Sequence, residues 1–248
     1  LDMAQPGKWN LGSYGTRYCG GFDYWEGPLQ GAMNLSELQS RLKSVMIRRL
    51  KRDVLTELPK LQRVVVPVTV GTKEYKEALK NLNRTNAMTK IMDAWHVLGR
   101  EKAKVAVEWV KEFFEQSESN TKIVLYVHHL DVMDYLDSEL RHYGTFKISG
   151  EVSPAKRDAL IRGFQSGVSP RVAIINKAGG EGIDLFGIND IDSSNILFVE
   201  RQWTPALEMQ AEGRLDRIGQ TLPVTAYYLS AVGTFDEYME ETIAEKRA

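Results

Sequence analysis

The sequence contains little cysteine, histidine and proline and only an ordinary share of glycine, and these contents exclude several classes of protein or site. The single cysteine, Cys19, has no intrachain partner, so a disulfide scaffold and a C-x-x-C zinc pair are excluded. Four histidines without further cysteines do not suit a structural zinc site. The 20 glycines and 8 prolines among 248 residues are too few for a fibrous or low-complexity protein. A formal net charge of −1 argues against a generically basic DNA-coating protein, although it allows a local basic patch.

Long hydrophobic runs and a basic leader are also missing. The longest apolar runs, such as 123–127, are far shorter than the ~20 residues that a bilayer requires. The chain does not begin with a basic segment followed by an apolar one, so we predict no signal peptide. With 43% hydrophobic residues, the chain can bury a sizeable core. We therefore expect an intracellular protein in a reducing compartment.

Short apolar strands alternate with helices from residue 122 onward, which predicts an α/β fold. Because these strands are apolar throughout, we expect a parallel sheet that helices cover on both faces. The predicted strands are 123–127, 146–148, 172–175, 196–199 and 224–229, and helices follow at 130–142, from 153, from 204 and at 234–246. Before them, the pattern predicts aromatic-rich irregular structure at 1–33, helices at 34–58, 72–82 and 101–116, and a β-rich run at 64–70.

Ligands of parallel sheets bind beyond the carboxyl ends of the strands, and a glycine-rich segment follows the strand that ends at Ile175. Gly179, Gly180 and Gly182 allow the backbone to approach a ligand closely and expose its N–H groups. The segment is neither a Walker A loop nor a G-x-G-x-x-G fingerprint. A simple glycine-rich turn remains the alternative.

A second candidate lies on the helix after Thr204. At 100° per residue, Gln210, Arg214 and Arg217 fall within ~60° of one another, and two arginines one turn apart can clamp phosphate oxygens. The neighbouring apolar stripe is expected to face the core; it consists of Leu207, Ala211, Leu215 and Ile218. In the alternative interpretation, both arginines form ordinary ion pairs. Arg214 would then pair with Glu208 or Glu212, and Arg217 with Asp216 or a distant carboxylate.

Two further features could contact a phosphate backbone. His128 and His129 directly follow a strand; adjacent strand residues point to opposite faces, so they do not easily bind one metal ion. They could bind a sugar-phosphate backbone or form a local network. Eight basic residues lie between 41 and 63 against only Asp53 and Glu57, which suits a phosphate surface or a solvated helical face.

Taken in order, these segments resemble one family. M-I-R-R-L-K-R-D-V at 46–54, L-P-K at 58–60, A-G-G-E-G-I-D-L at 178–185 and Q-A-E-G-R-L-D-R-I-G-Q at 210–220 resemble the SWI/SNF-type helicase-like ATPases. These are double-stranded DNA translocases, members of helicase superfamily two, built from two RecA-like lobes. The resemblance covers about residues 12–246, and His128-His129 resembles the annealing-helicase branch.

The resemblance implies a RecA-like parallel sheet with helices on both faces. Residues 71–248 would form the second, carboxyl-terminal lobe, and residues 1–70 the end of the first lobe and a helical inter-lobe segment. The family's Walker A and D-E-x-H motifs belong to the first lobe, so ATP and Mg²⁺ would be bound mainly there. By itself, the chain is expected not to hydrolyse ATP at a useful rate. Double-stranded DNA and the first lobe are the expected partners of a monomeric protein without membrane association.

The resemblance also assigns roles to single residues. Arg214 and Arg217 match the family's arginine fingers, and Gln210 opens that motif. Gly179, Gly180 and Gly182 match the loop that couples nucleotide state to the DNA backbone. The residues expected to bind the nucleotide are Gly180, Gly182 and Asp184. The residues expected to contact DNA are His128, His129, Gly150, Lys177, Ala178, Gly179, Arg48, Arg49 and Lys51. We predict no metal ligands.

Several positions depart from the family pattern. Leu215-Asp216 stands where Ala-His is frequent, and Asp184 where Asn or Thr is common. We expect Asp216 to partly neutralise Arg217, and Asp184 to weaken phosphate contact. A degenerate lobe that only binds DNA or a protein therefore stays an alternative. A nucleotide-binding oxidoreductase is disfavoured because G-x-G-x-x-G is missing.

Overall fold

The computed structural model describes residues 10–20, 32–47, 49, 51–80, 87–150 and 152–247. The chain divides into two compact units, Leu1–Thr56 and Glu57–Ala248. The sequence-based boundary after residue 70 stays a prediction about the lobes; by contacts, the strand at 61–68 belongs to the second unit.

The first unit contains three short helices, α1 (Leu11–Tyr18), α2 (Leu35–Leu42) and α3 (Lys51–Val54). A capping box begins α1, because Asn10 Oδ1 accepts a hydrogen bond from Ser13 N at 2.8 Å and Asn10 N donates to Ser13 Oγ at 3.1 Å. The helical segment predicted at 34–58 is therefore divided between α2 and α3, with a turn at 43–45.

The second unit is a six-stranded parallel sheet in the order β1-β6-β5-β2-β4-β3, which confirms the predicted fold class. Its strands are β1 (Leu61–Val68), β2 (Thr121–Tyr126), β3 (Thr145–Ile148), β4 (Val172–Ile175), β5 (Asp192–Phe198) and β6 (Val224–Ala231). Its helices are α4 (Lys73–Ala78), α5 (Ala87–Glu115), α6 (Leu130–Glu139), α7 (Pro154–Ser166), α8 (Pro205–Glu212) and α9 (Phe235–Arg247).

Hydrophobic cores lie on both faces of this sheet. Alternate residues of β2 separate between them, since Ile123 belongs to one core and Val124 to the other. The first core also takes residues from α5 and α6, and the second takes Phe164 from α7 and Ala211 from α8. Helices therefore cover both faces, and no helix of the described part is long and apolar enough to cross a membrane.

Two elements begin well before the residues predicted for them. Helix α5 begins at Ala87 instead of 101, and β5 begins at Asp192 instead of 196. The first residues of β5 are polar, but they form hydrogen bonds within the protein: Ser193 Oγ donates to the Leu185 carbonyl at 2.5 Å. Hydrogen bonds to the neighbouring loop therefore allow a polar start to a buried strand.

The carboxyl ends of the central strands lie side by side. Tyr126 at the end of β2 is in register with Ile175 of β4 and with Phe198 of β5. The segments that follow these three strands therefore meet at one edge of the sheet.

Candidate functional site

A cleft of about 240 Å³ lies at this edge, between the segment after β4 and helix α8. It brings together four residues selected from the sequence: Lys177, Gly180, Gln210 and Arg214. The other lining residues are Tyr126, Ile175, Glu181, Leu207 and Ala211. Two cations and an amide thus converge on one concave surface, which suits phosphate oxygens. Their roles in binding remain predictions.

The glycines after β4 have local structural reasons. A Cβ atom at Gly179 would overlap the carbonyl oxygen of Ile148, so this loop packs directly on the end of β3. Gly182 has a φ of +70°, a conformation that side chains disfavour. Asn176 closes the turn, since its Oδ1 accepts from Gly179 N at 2.9 Å. This loop is therefore a close-packed turn at the sheet edge.

The loop after β3 lies against this turn. A Cβ atom at Gly150 would meet Ala178 Cβ at 3.3 Å, so Gly150, Ala178 and Gly179, all expected to contact DNA, lie close together. Arg157 of α7 donates to the Glu181 carbonyl at 3.2 Å and joins the two loops.

The two arginines of the finger motif have different surroundings. Arg214 is half-buried, and burial together with the neighbouring Arg217 charge lowers the pKa of its guanidinium. Its Nη1 lies 3.5 Å from the Ile183 carbonyl oxygen. Arg217 lies further out and forms an ion pair with Asp184, at 2.5 Å between Nη1 and Oδ1. Asp184, expected to bind nucleotide, therefore contacts Arg217, one of the two predicted arginine fingers.

The ordinary ion pairs considered from the sequence are only partly present. Arg217 does pair with a distant carboxylate, whereas Glu208 and Glu212 pair with Arg201 and Arg63. Among the residues that the structure describes, no carboxylate forms an ion pair with Arg214.

The expected apolar stripe is only partly correct, because α8 ends at Glu212, and Arg214 and Arg217 therefore lie in the turns that follow it instead of on the helix. Ala211 of α8 and Leu215 of the following turn are buried, but Ile218 is 71% exposed and Leu207 only half-buried. Two carboxylates, Glu208 and Glu212, occupy the inner face instead, because arginines from other elements neutralise them there.

The two histidines after β2 are held by a carboxylate that the sequence analysis did not select. Oε2 of Glu200 accepts from the backbone N–H of His128 at 2.7 Å and of His129 at 3.0 Å, and its Oε1 lies 2.6 Å from His129 Nδ1. Burial opposes ionisation of Glu200, but the His129 hydrogen bonds outweigh it and lower the pKa of the carboxyl. Glu200 lies two residues after β5, so its position in the sequence could have indicated that it lies at the edge of the sheet where ligands bind.

Helix α5 adds aromatic residues to this turn. The His128 ring packs on Trp95 at 4.2 Å between centroids, and the His96 ring stacks on His129 at 4.1 Å. His96 Nε2 lies 2.8 Å from Asp131 Oδ1. The local network considered from the sequence is therefore present, while His128 keeps an exposed surface at the sheet edge. Within the described ranges, no group of three His, Cys, Asp or Glu residues could hold a metal ion.

Tyr126 lines the cleft, and the sequence did not indicate it as a site residue. It ends β2, and burial raises the pKa of its hydroxyl to about 12. Of the basic residues expected to contact DNA in the first unit, Arg49 and Lys51 are exposed, and Arg48 lies outside the described residues.

Comparisons with known proteins place this site in context. The model of the helicase conserved C-terminal domain matches residues 105–219. The chain is 32% identical to "SWI/SNF-related matrix-associated actin-dependent regulator of chromatin subfamily A-like protein 1" of Xenopus tropicalis, over 94% of this chain and 26% of the relative. It is 30% identical to "DNA annealing helicase and endonuclease ZRANB3" of Homo sapiens, over 94% of this chain and 23% of the relative. The chain thus spans about a quarter of the length of these curated relatives.

Solved structures show the same fold. The Sulfolobus solfataricus SWI2/SNF2 ATPase core in complex with dsDNA superimposes with a TM-score of 0.61 at 21% identity, over 87% of this chain and 51% of that one. The C-terminal part of the Fun30 ATPase domain superimposes with a TM-score of 0.57 at 16% identity, over 75% and 89% of the two chains.

Proposed function

We propose that the chain belongs to the SWI/SNF-type helicase-like ATPases, on the annealing-helicase branch, and that it is the carboxyl-terminal motor lobe of an ATP-dependent double-stranded DNA translocase. ATP and Mg²⁺ would bind mainly to the first lobe of the same polypeptide. The protein would work inside the cell, in the nucleus of a eukaryote or the cytoplasm or nucleoid of a bacterium or virus. The names of the relatives, a regulator of chromatin and a DNA annealing helicase, suggest chromatin or DNA that is being annealed as the substrate.

The observation that carries this proposal is the cleft that joins Lys177, Gln210 and Arg214. Arg214 is half-buried and free of ion pairs to described carboxylates, so its charge is available to a phosphate group that enters from outside. A cation aimed at the charge that develops during phosphoryl transfer accelerates the reaction by about 10³–10⁵-fold. When bound, ATP supplies the phosphoryl group, and Arg214 and Arg217 would stabilise its charge as the lobes close.

The neighbouring loops supply a second surface. Gly150, Ala178 and Gly179 pack into one ridge beside Lys177, and His128 lies exposed at the same sheet edge. Small residues allow a backbone to approach closely, and a lysine contributes charge without reading bases. Such contacts position a protein on DNA without sequence preference, as translocation requires.

The proposal is tested by Arg217→Ala in the full-length protein. We expect DNA-stimulated ATP hydrolysis to fall by about 10³-fold or more, with duplex affinity nearly unchanged. Arg162→Ala, which removes an exposed arginine of α7, serves as the control and should keep wild-type turnover. Wild-type turnover in Arg217→Ala would contradict the finger assignment.

A non-catalytic lobe that only binds DNA or a protein is the second candidate, and the Arg217–Asp184 ion pair favours it. A full-length protein that binds duplex DNA but never hydrolyses ATP would support this candidate. The residues 1–248 alone should be inactive in either case, and robust turnover by them would refute both candidates.

A further inference from the structure

Helix α8, which leads into the finger motif, carries two buried carboxylates one turn apart. The side chains of Glu208 and Glu212 are 0% and 2% exposed. Buried carboxylates are stable only when cations and hydrogen bonds compensate them. Arg201 Nε lies 3.0 Å from Glu208 Oε1, and both residues belong to the same segment of the chain. Glu212 is bound by an arginine that lies 149 positions away in the sequence.

That residue is Arg63 of the edge strand β1. Its Nε and Nη2 donate to the two oxygens of Glu212, each at 2.7 Å, so the pair is bidentate. The Tyr228 hydroxyl also donates to Glu212 Oε1. The hydrogen bonds that Arg63 donates to Glu212 raise the pKa of its guanidinium further above its usual range. Both oxygens of Glu212 are therefore engaged on the side of the sheet.

Glu212 is also the residue on which the finger turn is built. It ends α8, and its carbonyl oxygen accepts from Leu215 N at 3.0 Å and Asp216 N at 2.9 Å. Arg214 lies inside this turn, and its carbonyl accepts from Leu185 N at 2.8 Å. The bidentate pair between Arg63 and Glu212, called the Arg63 fork below, thus fixes the side chain of Glu212. The backbone carbonyl of the same residue accepts the hydrogen bonds of the turn that contains Arg214.

Charge gives the fork a second consequence. Glu212 is the acidic residue nearest in sequence on the helix that precedes Arg214, and a carboxylate released from Arg63 would gain a cation by turning to Arg214. Arg214 would gain as well, because burial and the Arg217 charge both disfavour its charged form. The intact fork therefore keeps Glu212 away from the finger.

We propose that Arg63 is a positioning residue for the arginine finger: it holds Glu212 so that the turn stays in place and Arg214 stays unpaired. This inference rests on the proposed function. It concerns a residue whose guanidinium is bound to Glu212, and it assigns a role to one of the basic residues between 41 and 63.

The experiment uses the full-length protein and the variants Arg63→Met, Arg63→Lys, Glu212→Gln and the double variant Arg63→Met/Glu212→Gln. We expect Arg63→Met to lower kcat about 10- to 100-fold, with the KM for ATP and the Kd for duplex DNA within about twofold of wild type. Arg63→Lys keeps the charge without the fork and should fall between. The double variant should recover most of the activity, because a neutral amide no longer competes for Arg214.

Arg201→Met provides the matched control on the same helix. This variant removes the arginine that pairs with Glu208, which lies one helical turn further from Arg214 than Glu212 does. It should therefore lower Tm as Arg63→Met does. Its kcat should remain within about threefold of wild type, since Glu208 lies six residues from Arg214. Equal kcat losses in the two variants would show that the fork acts only through stability and would overturn the inference.

A second readout does not depend on hydrolysis. Phenylglyoxal labelling of Arg214, followed by mass spectrometry, should slow several-fold in Arg63→Met and recover in the double variant. Unchanged labelling together with wild-type kcat in Arg63→Met would refute the positioning role. If Arg63→Met does not fold, Glu212→Gln decides: kcat within about threefold of wild type supports the inference, and a loss of 100-fold or more refutes it. Failure of the proposed function would give a different result, namely an inactive wild type or an active Arg217→Ala variant. In that case the labelling of Arg214 would still test the role of Arg63.

Discussion

If Arg217 is an arginine finger as proposed, its ion pair with Asp184 predicts that a carboxylate of the same chain partly restrains it. Both side chains are exposed, at 45% and 42%, and their charged atoms lie 2.5 Å apart. Exposed pairs of this kind are worth about 0.2–1 kcal/mol after solvent screening. At about 1.4 kcal/mol per tenfold change, breaking the pair corresponds to about 1.4- to 5-fold in rate.

The variant Asp184→Asn should therefore raise DNA-stimulated ATPase activity of the full-length protein by about 1.4- to 5-fold at saturating ATP. Because salt screens exposed pairs, the ratio of variant to wild-type rates should approach one as ionic strength rises. Asp190→Asn removes an exposed carboxylate from the nearby loop and should leave the rate unchanged. A slower Asp184→Asn enzyme would refute this reasoning and assign Asp184 a direct role at the nucleotide.

Two further predictions concern stability. Gly179→Ala places a Cβ on the Ile148 carbonyl, so it should lower the free energy of unfolding by about 1–3 kcal/mol in urea titrations. Gly163→Ala in α7 has open space around the new Cβ and should raise the free energy of unfolding by up to about 1 kcal/mol. Equal effects of the two substitutions would contradict the packing of the loop. Partial burial against Trp95 and the nearby His129 lower the pKa of His128 below 6.5, so the unfolded chain binds the proton more readily and stability falls as pH drops through 6.5. Thermal melts should show a smaller loss between pH 7.5 and 5.5 in His128→Gln than in wild type, and an equal loss would exclude His128 as the source.

The sheet could be predicted from sequence because its central strands are apolar throughout. The polar start of β5 could not, since Ser193 is acceptable there only after the Leu185 carbonyl lies beside it. The convergence of Lys177, Gln210 and Arg214 followed from the rule that parallel strands share a ligand edge.

The carboxylate network of the site could not be predicted in the same way. Helix spacing indicated Glu208 or Glu212 as the ion-pair partner of Arg214. In the fold, Glu208 pairs with Arg201 and Glu212 pairs with Arg63 instead. The side chain of Arg63 reaches Glu212 because β1 is parallel to β6, a pairing between segments far apart in the chain. Local periodicity carries no information about such partners.

The two predicted fingers differ in how their charge is compensated, and a double-mutant cycle can separate them. Arg214 forms no ion pair with a described carboxylate, whereas Arg217 pairs with Asp184. If Asp184 acts only through Arg217, Asp184→Asn should change the residual rate of Arg217→Ala by less than about 1.5-fold, while it still accelerates Arg214→Ala as it does wild type. Acceleration of Arg217→Ala by the same factor would place the effect of Asp184 on the phosphate surface instead of the finger. The cycle thus distinguishes a carboxylate that restrains one arginine from one that repels the substrate.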